Sequence, residues 1–365
     1  MNVVYKEILL YLLLIVFISC NSADDKLIYK SNYVANYELQ LKDSIIYRNT
    51  KENYIGLIKD IKYWRGKILI TDHYFKKLWI FDERMNLIKS VGRKGTGPGE
   101  YTFPPYICTD NKNIILIDYR TKKANLYDTN FIYIKNYNLP KHIYYQMYPA
   151  IKFNDKFILP GASYLSLNLK KHFDKAKSIT VCDSAFELLE EILPWDESYK
   201  NETPYNIYRK GVLLVKGAEN TFYAKQLASP LIHHIDKDLK KIKVFGIKPR
   251  FFKEPPNISL EEVMKSFEAT ADFGSKITWF RNIDYDEKNK LLIVYYVNLY
   301  KESWYNRSML SGEHFLQIYN SNYDCIFDDK VEGILAFVSN GHIYLLTDEN
   351  TDNIKIKAYD LVKVK

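Results

Sequence analysis

A strand pattern that recurs after 46 residues constrains the fold of this chain more than any other feature of the sequence. Two strand-like runs that end in aspartate are followed by two similar runs: Lys67–Asp72 and Lys77–Asp82, then Asn113–Asp118 and Ala124–Asp128. Asp72 superposes on Asp118, and Asp82 superposes on Asp128 with the same spacing. Because strand units that repeat every ~40–50 residues are typical of propellers, we predict that these two units are neighbouring blades.

Four fainter copies of the unit follow, each made of strand-forming residues separated by turns. The runs are Lys156–Pro160, Ile179–Asp183 and Glu187–Leu193 in the third unit; Asn220–Lys225, Leu231–Asp236 and Lys241–Phe245 in the fourth; Lys290–Val297, Phe315–Asn320 and Tyr323–Asp328 in the fifth; Gly341–Asp348 and Ile354–Asp360 in the sixth. The sixth unit lacks an outer strand, whereas Tyr37–Leu41 alternates as a strand outside any unit. We predict that this first strand completes the last blade and closes the ring, which removes free sheet edges.

The predicted fold class is therefore all-β: a six-bladed β-propeller over residues 30–365 with one short helical insertion. The 32 Tyr and 14 Gly agree with strands. They argue against an all-helical protein and against a doubly wound nucleotide fold, which needs repeated helices and a Gly-rich phosphate turn. The insertion is predicted at 257–275, because Ser259-Leu-Glu-Glu262 has the form of a capping box. Pro255-Pro256 prevents an earlier helix start.

The N-terminal residues predict export and lipid attachment. Ile8–Ile18 is an apolar run of 11 residues, too short for a spanning helix of about 20 and typical of a signal-peptide core. The run ends at Ser19-Cys20, which resembles the lipobox of bacterial lipoproteins, where the Cys carries the lipid. We therefore predict a signal peptide at 1–19, lipidation of Cys20 and a lipidated tether over 20–29. A simple secretory signal with a coincidental Cys is the alternative.

A lipidated Cys20 predicts a place in the cell envelope, anchored to the outer membrane. The acidic pair Asp24-Asp25 looks like the export tag of some surface lipoproteins, so the periplasmic and the cell-surface face both stay open. Residues 1–20 carry one Lys and one Glu, so their removal leaves the formal net charge at +8. The basic residues are scattered, whereas a nucleic-acid groove clusters them on one element, and we therefore expect no nucleic acid as a partner.

A single glycine-rich run, Gly92-Arg-Lys-Gly-Thr-Gly-Pro-Gly-Glu-Tyr101, lies between the first two units and is followed by Pro104-Pro105 and a strand. It resembles the linker between blades of NHL-repeat-like six-bladed propellers, and the chain is similar to the TolB-like six-bladed propeller lipoproteins of Gram-negative bacteria. Gly95, Gly97 and Gly99 permit positive φ. The run is therefore suited to a sharp crossing from an outer strand to the next inner strand.

The resemblance implies that this linker lies near the mouth of the central channel, where propellers gather ligands. It therefore implies that residues on the linker and at the ends of neighbouring strands are candidate ligand contacts. These residues are Asp72, His73, Arg93, Lys94, Glu100, Tyr101, Asp118 and Arg120. Asp72 and Asp118 equally suit turn caps, and Glu100 equally suits hydrogen bonds to amides of its own turn. Trp304 and Tyr305, in a polar insertion of the fifth unit, are candidates for stacking on a sugar ring or a peptide side chain.

The sequence contains no His-Glu-x-x-His or His-x-x-x-His spacing and no Gly-x-Ser-x-Gly elbow. The adjacent His233 and His234 point to opposite faces of a regular strand, so they cannot chelate one ion. We predict a monomeric binding or scaffolding module, without a cofactor, that holds a peptide, glycan or protein partner at the channel mouth. The alternative is a metal-dependent, lactonase-like hydrolase or lyase acting on a sugar or lactone, with a Ca²⁺ or Zn²⁺ ion in the channel.

Overall fold

Six antiparallel sheets form a closed ring in a computed structural model that describes residues 31–364 except 35, 164–168, 202, 307, 309 and 351. The innermost strand of each sheet contacts the innermost strand of the next sheet, and that of the sixth contacts that of the first. The predicted six-bladed β-propeller is therefore confirmed. The predicted signal peptide at 1–19, Cys20 and the tether over 20–29 lie outside the described residues.

Each blade is named here in chain order, with its strands given from the channel outwards. Blade 1 comprises Ile58–Trp64, Lys67–Asp72, Leu78–Asp82 and Leu87–Val91; blade 2 comprises Tyr106–Thr109, Ile114–Asp118, Lys123–Tyr127 and Tyr133–Asn138. Blade 3 comprises Ile143–Tyr145 and Ile151–Phe153, both paired with Lys156–Ser163, then Lys177–Cys182 and Leu188–Pro194.

The second half of the ring follows the same plan. Blade 4 comprises Val212–Lys216, Phe222–Gln226, Ile232–Ile235 and Lys241–Phe245; blade 5 comprises Trp279–Asp286, Leu291–Leu299, Gly312–Tyr319 and Cys325–Val331. Blade 6 comprises Ile334–Ser339, His342–Glu349 and Asn353–Lys363, and its outer strand is the first strand of the chain, Tyr37–Arg48.

The first strand closes the ring, as predicted, and is longer than Tyr37–Leu41. Tyr37 lies opposite Lys363 and Arg48 lies opposite Asn353, with one irregularity between Leu41 and Asp43. Because the outer strand comes from the start of the chain and the other three from its end, blade 6 joins the two ends of the ring. Closure of the ring therefore depends on the pairing of Tyr37–Arg48 with Asn353–Lys363.

Asp82 and Asp128, which are 46 residues apart, occupy the same position in the turn after the third strand of their blades. Asp82 Oδ1 accepts hydrogen bonds from the amides of Arg84 and Asn86, at 2.9 and 2.8 Å. The residues that make the equivalent pair of bonds in blades 2 to 5 are Asp128, Asp183, Asp236 and Asn320. An Asx turn of this kind accounts for the recurring aspartate.

A hydrophobic cluster lies between each pair of neighbouring blades in the described part of the ring. Alternation along the strands produces this arrangement, because successive side chains point to opposite faces. In blade 1, Ile68 and Ile70 pack toward blade 6, whereas Leu69 packs toward blade 2. The near-continuous apolar runs of the inner and middle strands are therefore expected, since both faces of every blade are covered.

Antiparallel strands give the ring two distinct faces. We call one of them the upper face. It carries the loops between second and third strands and the connections from each outer strand to the next blade, which together are called the upper connections. Every helix among the described residues lies in one of these upper connections: Leu169–His172, Glu197–Tyr199, Pro204–Tyr208, Leu260–Met264, Phe267–Ser275 and Glu302–Asn306. Within the described part of the chain, no helix is long and apolar enough to cross a membrane.

The single helix predicted over 257–275 is instead two short helices. The predicted capping box is present, since Ser259 Oγ accepts a hydrogen bond from the Glu262 amide and the Glu262 carboxylate accepts one from the Ser259 amide. Ser266 then caps a second helix by accepting a hydrogen bond from the Ala269 amide at 3.0 Å. A second N-cap inside the segment therefore divides it. The helices on the other upper connections were not predicted.

Candidate functional site

The central channel contains a cavity at each end. The upper cavity, of about 460 Å³, is lined by the first residues of the inner strands of blades 1, 2, 5 and 6, by some second-strand residues, and by Met147–Pro149 between the first two strands of blade 3. The lower cavity, of about 810 Å³, is lined by the last residues of the inner strands, from all six blades. Inner strands run from the upper to the lower face, so the inner strands of blades 1, 2, 5 and 6 line both cavities.

Two basic residues enter the upper cavity from β-bulges at equivalent positions. Lys59 is left unpaired between the registered residues Ile58 and Asp60 of blade 1. Arg281 is left unpaired in the same way between Phe280 and Asn282 of blade 5. Bulges re-aim side chains and are frequent beside active sites. The two bulges therefore place a cation from each of two non-adjacent blades in one cavity.

The two cations lie deep in the channel yet line a solvent-reachable space. The Lys59 Nζ lies 4.6 Å from the centre of the Tyr106 ring. Burial and then repulsion from Arg281 lower the pKa of Lys59 to about 8, against an opposing attraction to Asp60. Burial likewise lowers the pKa of Arg281, whose guanidinium carbon lies 4.7 Å from the Trp279 ring centre. Both basic groups are therefore buried side by side in one cavity, where each destabilises the charged form of the other.

The two carboxylates of the upper cavity are each bound to a backbone amide. Asp60 Oδ2 accepts a hydrogen bond from the amide of Ile107 at 2.8 Å, which ties blade 1 to blade 2. Glu349 accepts one from the amide of Ile58, which ties blade 6 to blade 1. Burial raises the pKa of Asp60, and it raises that of Glu349 to about 7. Each carboxylate therefore links two neighbouring blades through a hydrogen bond to a backbone amide.

A second group of charges is enclosed between blades 4 and 5, beside the upper cavity. Lys225 is 1% exposed; its Nζ donates a hydrogen bond to the Ser229 carbonyl at 2.7 Å and lies 3.7 Å from the Phe280 ring centre. Arg209, fully buried, donates a hydrogen bond to the Phe280 carbonyl at 2.7 Å. Burial lowers the pKa of Lys225 to about 7, with Asp196 opposing that shift.

Of the residues proposed from the sequence, His73 lines the upper cavity. Asp72 and Asp118 act as turn caps, the alternative named above, and they also hold the connection that precedes their own blade. Asp72 accepts hydrogen bonds from the amides of Tyr74, Phe75 and Gly56. Asp118 binds its own turn and the linker in the same way. Both carboxylates are buried, and Arg120 is exposed on the turn that Asp118 caps.

The glycine-rich linker folds on itself at the outer part of the upper face. Arg93–Lys94 pairs in parallel with Glu100–Tyr101, and Arg93 Nε lies 2.6 Å from Glu100 Oε1. Glu100 Oε2 accepts a hydrogen bond from the Gly97 amide, the alternative named above. Gly92, Gly95 and Gly99 have positive φ, whereas Gly97 does not. The buried Tyr101 hydroxyl lies 2.8 Å from that of Tyr127, in the cluster between blades 1 and 2.

Trp304 and Tyr305 lie on the short helix Glu302–Asn306 of the upper face. Trp304 packs edge-on against Trp279, with ring centres 5.6 Å apart. Tyr305 is 53% exposed and packs edge-on against Phe267 of the helical insertion. The structure thus brings His73 into the channel cavity and distributes the other nine predicted contacts among the turns, the linker and this helix. Ligand binding by these residues stays a prediction.

The histidine pair behaves as strand geometry requires. His233 Nε2 lies 3.0 Å from Asp196 Oδ1, whereas the His234 ring stacks on Tyr223 and its Nδ1 lies 3.0 Å from the Tyr323 hydroxyl. Across the described residues, no three His, Cys, Asp or Glu side chains form a group that could hold a metal ion.

Sequence reasoning missed Lys59, Asp60, Arg281 and Glu349. A signal for the first three was present, because Ile58-Lys-Asp-Ile-Lys62 and Phe280-Arg-Asn-Ile-Asp284 share the order apolar, basic, polar, Ile, charged. Asp60 and Asn282 also have equivalent roles: Asn282 Nδ2 donates a hydrogen bond to the Leu335 carbonyl of blade 6 at 2.9 Å. An alignment of the inner-strand sequences with one another would have shown that Lys59 and Arg281 occupy equivalent positions.

A family model described as a 6-bladed beta-propeller, DUF5128, matches residues 18–254. A DUF4221-family protein from Bacteroides vulgatus shares the fold with a TM-score of 0.67 and 15% identity, over 90% of this chain and 99% of its own. A putative exported protein from Bacteroides fragilis has a TM-score of 0.61 and 14% identity, over 92% of this chain and 99% of its own. At these identities the likeness concerns the fold alone. No curated protein matches the chain in sequence.

Proposed function

Because this chain belongs to the DUF5128 family of six-bladed β-propellers, we propose that it is a lipid-anchored binding module of the cell envelope. It acts without catalysis and holds a partner over the upper channel mouth. The observation that carries this proposal is the upper cavity, which joins two unpaired basic groups to aromatic walls on the face that bears the insertions. Of the peptide, glycan and protein partners expected from the sequence, a polypeptide fits this face best.

The apolar side chains of the upper connections favour a polypeptide. Large exposed apolar residues on these connections are Tyr74, Phe75, Met264, Phe267, Tyr300 and Tyr305, and the first part of blade 3 adds Tyr144 and Met147. Aromatic residues and Met are enriched in protein interfaces, and exposed apolar surface commonly marks them. The partner is therefore proposed to contact these side chains and to reach into the cavity between them.

The start of the described chain supports an arrangement in which the anchor and the binding face lie on opposite sides. Residue Tyr33 pairs with Cys325, and Asn32 accepts a hydrogen bond from the Cys325 amide. Cys325 begins the outer strand of blade 5, which starts at the lower face. A lipid on Cys20 would thus connect to the lower side of the ring, and the upper face would be turned toward a partner.

The proposed anchor predicts that Cys20→Ser abolishes acylation. In cells fed an alkyne-tagged fatty acid, the wild-type chain should carry the tag and be recovered with membranes, because the thiol at Cys20 is the lipid attachment point. The neighbouring substitution Ser22→Ala serves as the matched control and should label like the wild type. Retention of the label in Cys20→Ser would contradict the anchor.

Photo-crosslinking in intact cells tests the proposed binding face. The photoreactive residue p-benzoylphenylalanine replaces Met147, which is 46% exposed and lines the upper cavity. The matched control replaces Lys288, an exposed residue that lines the lower cavity. We expect a discrete covalent adduct to a polypeptide from position 147 and none from position 288. Adducts from position 288 alone, or from neither position, would contradict the proposal.

A further inference from the structure

The upper cavity contains two basic side chains, Lys59 and Arg281, that have no ion-pair partner among the described residues. Neither Lys59 nor Arg281 forms an ion pair among the residues that the structure describes. Arg281 Nε is buried without a hydrogen-bond partner there. The two side chains come from blades 1 and 5 and repel each other. Two matched β-bulges hold these like charges close together, and their repulsion destabilises the folded state. Destabilising arrangements of this kind are concentrated at functional sites.

The rest of the cavity wall is mainly apolar and aromatic. Beside the two cations lie the aromatic residues Tyr106, Tyr148 and Tyr295. Most of the remaining lining is aliphatic, such as Leu57, Ile61 and Leu335, and the polar side chains His73 and Asn282 complete it together with the two carboxylates. Ligand sites typically combine such walls with a small number of polar groups that fix orientation. A volume of about 460 Å³ admits a group of the size of one or two amino-acid residues.

The acidic groups of the cavity limit the charge of an occupant. Asp60 lies next to Lys59 in the chain, and Glu349 lines the same space. Each of these carboxylates is held by a backbone amide, of Ile107 and Ile58 respectively, and neither is close enough to form an ion pair with the two cations. A second full negative charge on the occupant would face Asp60, so a singly charged anion suits the cavity better than a phosphate dianion.

We infer that the upper cavity binds an organic carboxylate with an aromatic or aliphatic body. Lys59 and Arg281 hold the carboxylate, and the tyrosine and aliphatic wall contacts the body. The inference rests on the proposed function, because it names the chemical group that the same site receives. The carboxylate belongs either to a free small acid or to the C-terminal end of a peptide, since the two present the same chemistry.

Titration calorimetry with charge-matched probes tests the inference on the folded chain. Hydrocinnamate represents a free acid and hydrocinnamamide is its uncharged counterpart; Ala-Ala-Phe with a free or an amidated C-terminus represents a peptide end. At about pH 6.5, where Lys59 is protonated, we expect one of the two acids to bind at least about tenfold more tightly than its amide. The pair that shows this preference identifies the source.

Substitution of each basic residue then tests whether Lys59 and Arg281 cause the preference for the acid over its amide. We expect Arg281→Met and, separately, Lys59→Met to reduce the acid-over-amide preference by about tenfold and to leave amide binding little changed. Arg84→Met, on an exposed lower turn, is the matched control and should retain the preference. Thermal melting of each variant establishes folding, and two independent variants keep the test decisive if one of them fails to fold.

Two results would overturn the inference. One is equal binding of acid and amide, or no binding of any probe, by the wild-type chain; the other is a preference that survives both substitutions. If these occur while position 147 still crosslinks, the proposed function stands and only the choice of a carboxylate is wrong. If neither the probes nor the crosslinker gives a signal, both proposals are wrong.

Discussion

Deleting Tyr37–Arg48 is expected to abolish cooperative folding of the propeller. The deletion removes the outer strand of blade 6 and exposes the whole edge of Asn353–Lys363. It also removes Ile45 and Tyr47 from the cluster between blades 6 and 1, and Tyr37 and Leu39 from that between blades 5 and 6. Tyr47 is buried and the other three are partly buried; at about 1.5–3 kcal/mol for a fully buried side chain and less for the others, plus the lost ladder bonds, the loss is of the same order as a total stability of about 5–15 kcal/mol.

The measurement is thermal and urea unfolding of a soluble chain that begins at Asn21, with and without the deletion. The control removes residues 21–30 instead, which precede every described contact, and should leave the transition nearly unchanged. A synthetic peptide of residues 37–48 should restore a cooperative transition to the deleted chain, because it can re-form the edge pairing. Cooperative melting of the deleted chain within a few degrees of the intact one would show that closure by the first strand is not needed.

Lys225→Met is expected to flatten the rise of stability with pH between about pH 7 and 9. The folded-state pKa of Lys225 is lowered to about 7 by burial, whereas an unfolded lysine titrates near 10.4. Between these values the unfolded chain binds one more proton than the folded chain, so the free energy of unfolding rises with pH. From this residue alone, the wild type should gain about 2 kcal/mol between pH 7 and 9.

Urea unfolding at several pH values measures this contribution as the difference between wild type and variant. Lys237→Met, on the exposed turn after the third strand of blade 4, is the matched control and should keep the wild-type slope. The comparison cancels the contribution of Lys59, which titrates in the same range in all three chains. An unchanged slope in Lys225→Met would mean that Lys225 remains charged in the folded state.

The blade pattern could be predicted from sequence because its determinants are local. An aspartate such as Asp82 caps a turn through its own neighbours, and the two middle strands of each blade are short apolar runs. The inner strands were harder to recognise, since Ile58–Trp64 and Trp279–Asp286 mix polar and apolar residues and contain bulges. The helices of the upper face were mostly missed because they are too short for a helical period to appear.

The candidate site could be predicted only in part, because it is assembled by ring closure. Lys59 and Arg281 are far apart in the chain, and the similar order of residues around them is informative only once the two inner strands are aligned with each other. Asp72 and Asp118 were correctly placed at strand ends, yet their carboxylates are used by backbone amides. The glycine-rich linker drew attention to Arg93 and Glu100, which bind each other at the outer part of the face.

The central claim is that closure by the first strand builds a ligand cavity at the upper end of the channel. The most direct test is an experimental structure of the chain crystallised with hydrocinnamate. We predict Tyr37–Arg48 in blade 6 and the carboxylate about 2.7–3.2 Å from nitrogen atoms of Lys59 and Arg281. Hydrocinnamate bound in the lower cavity instead, or an open ring without the first strand, would contradict the account.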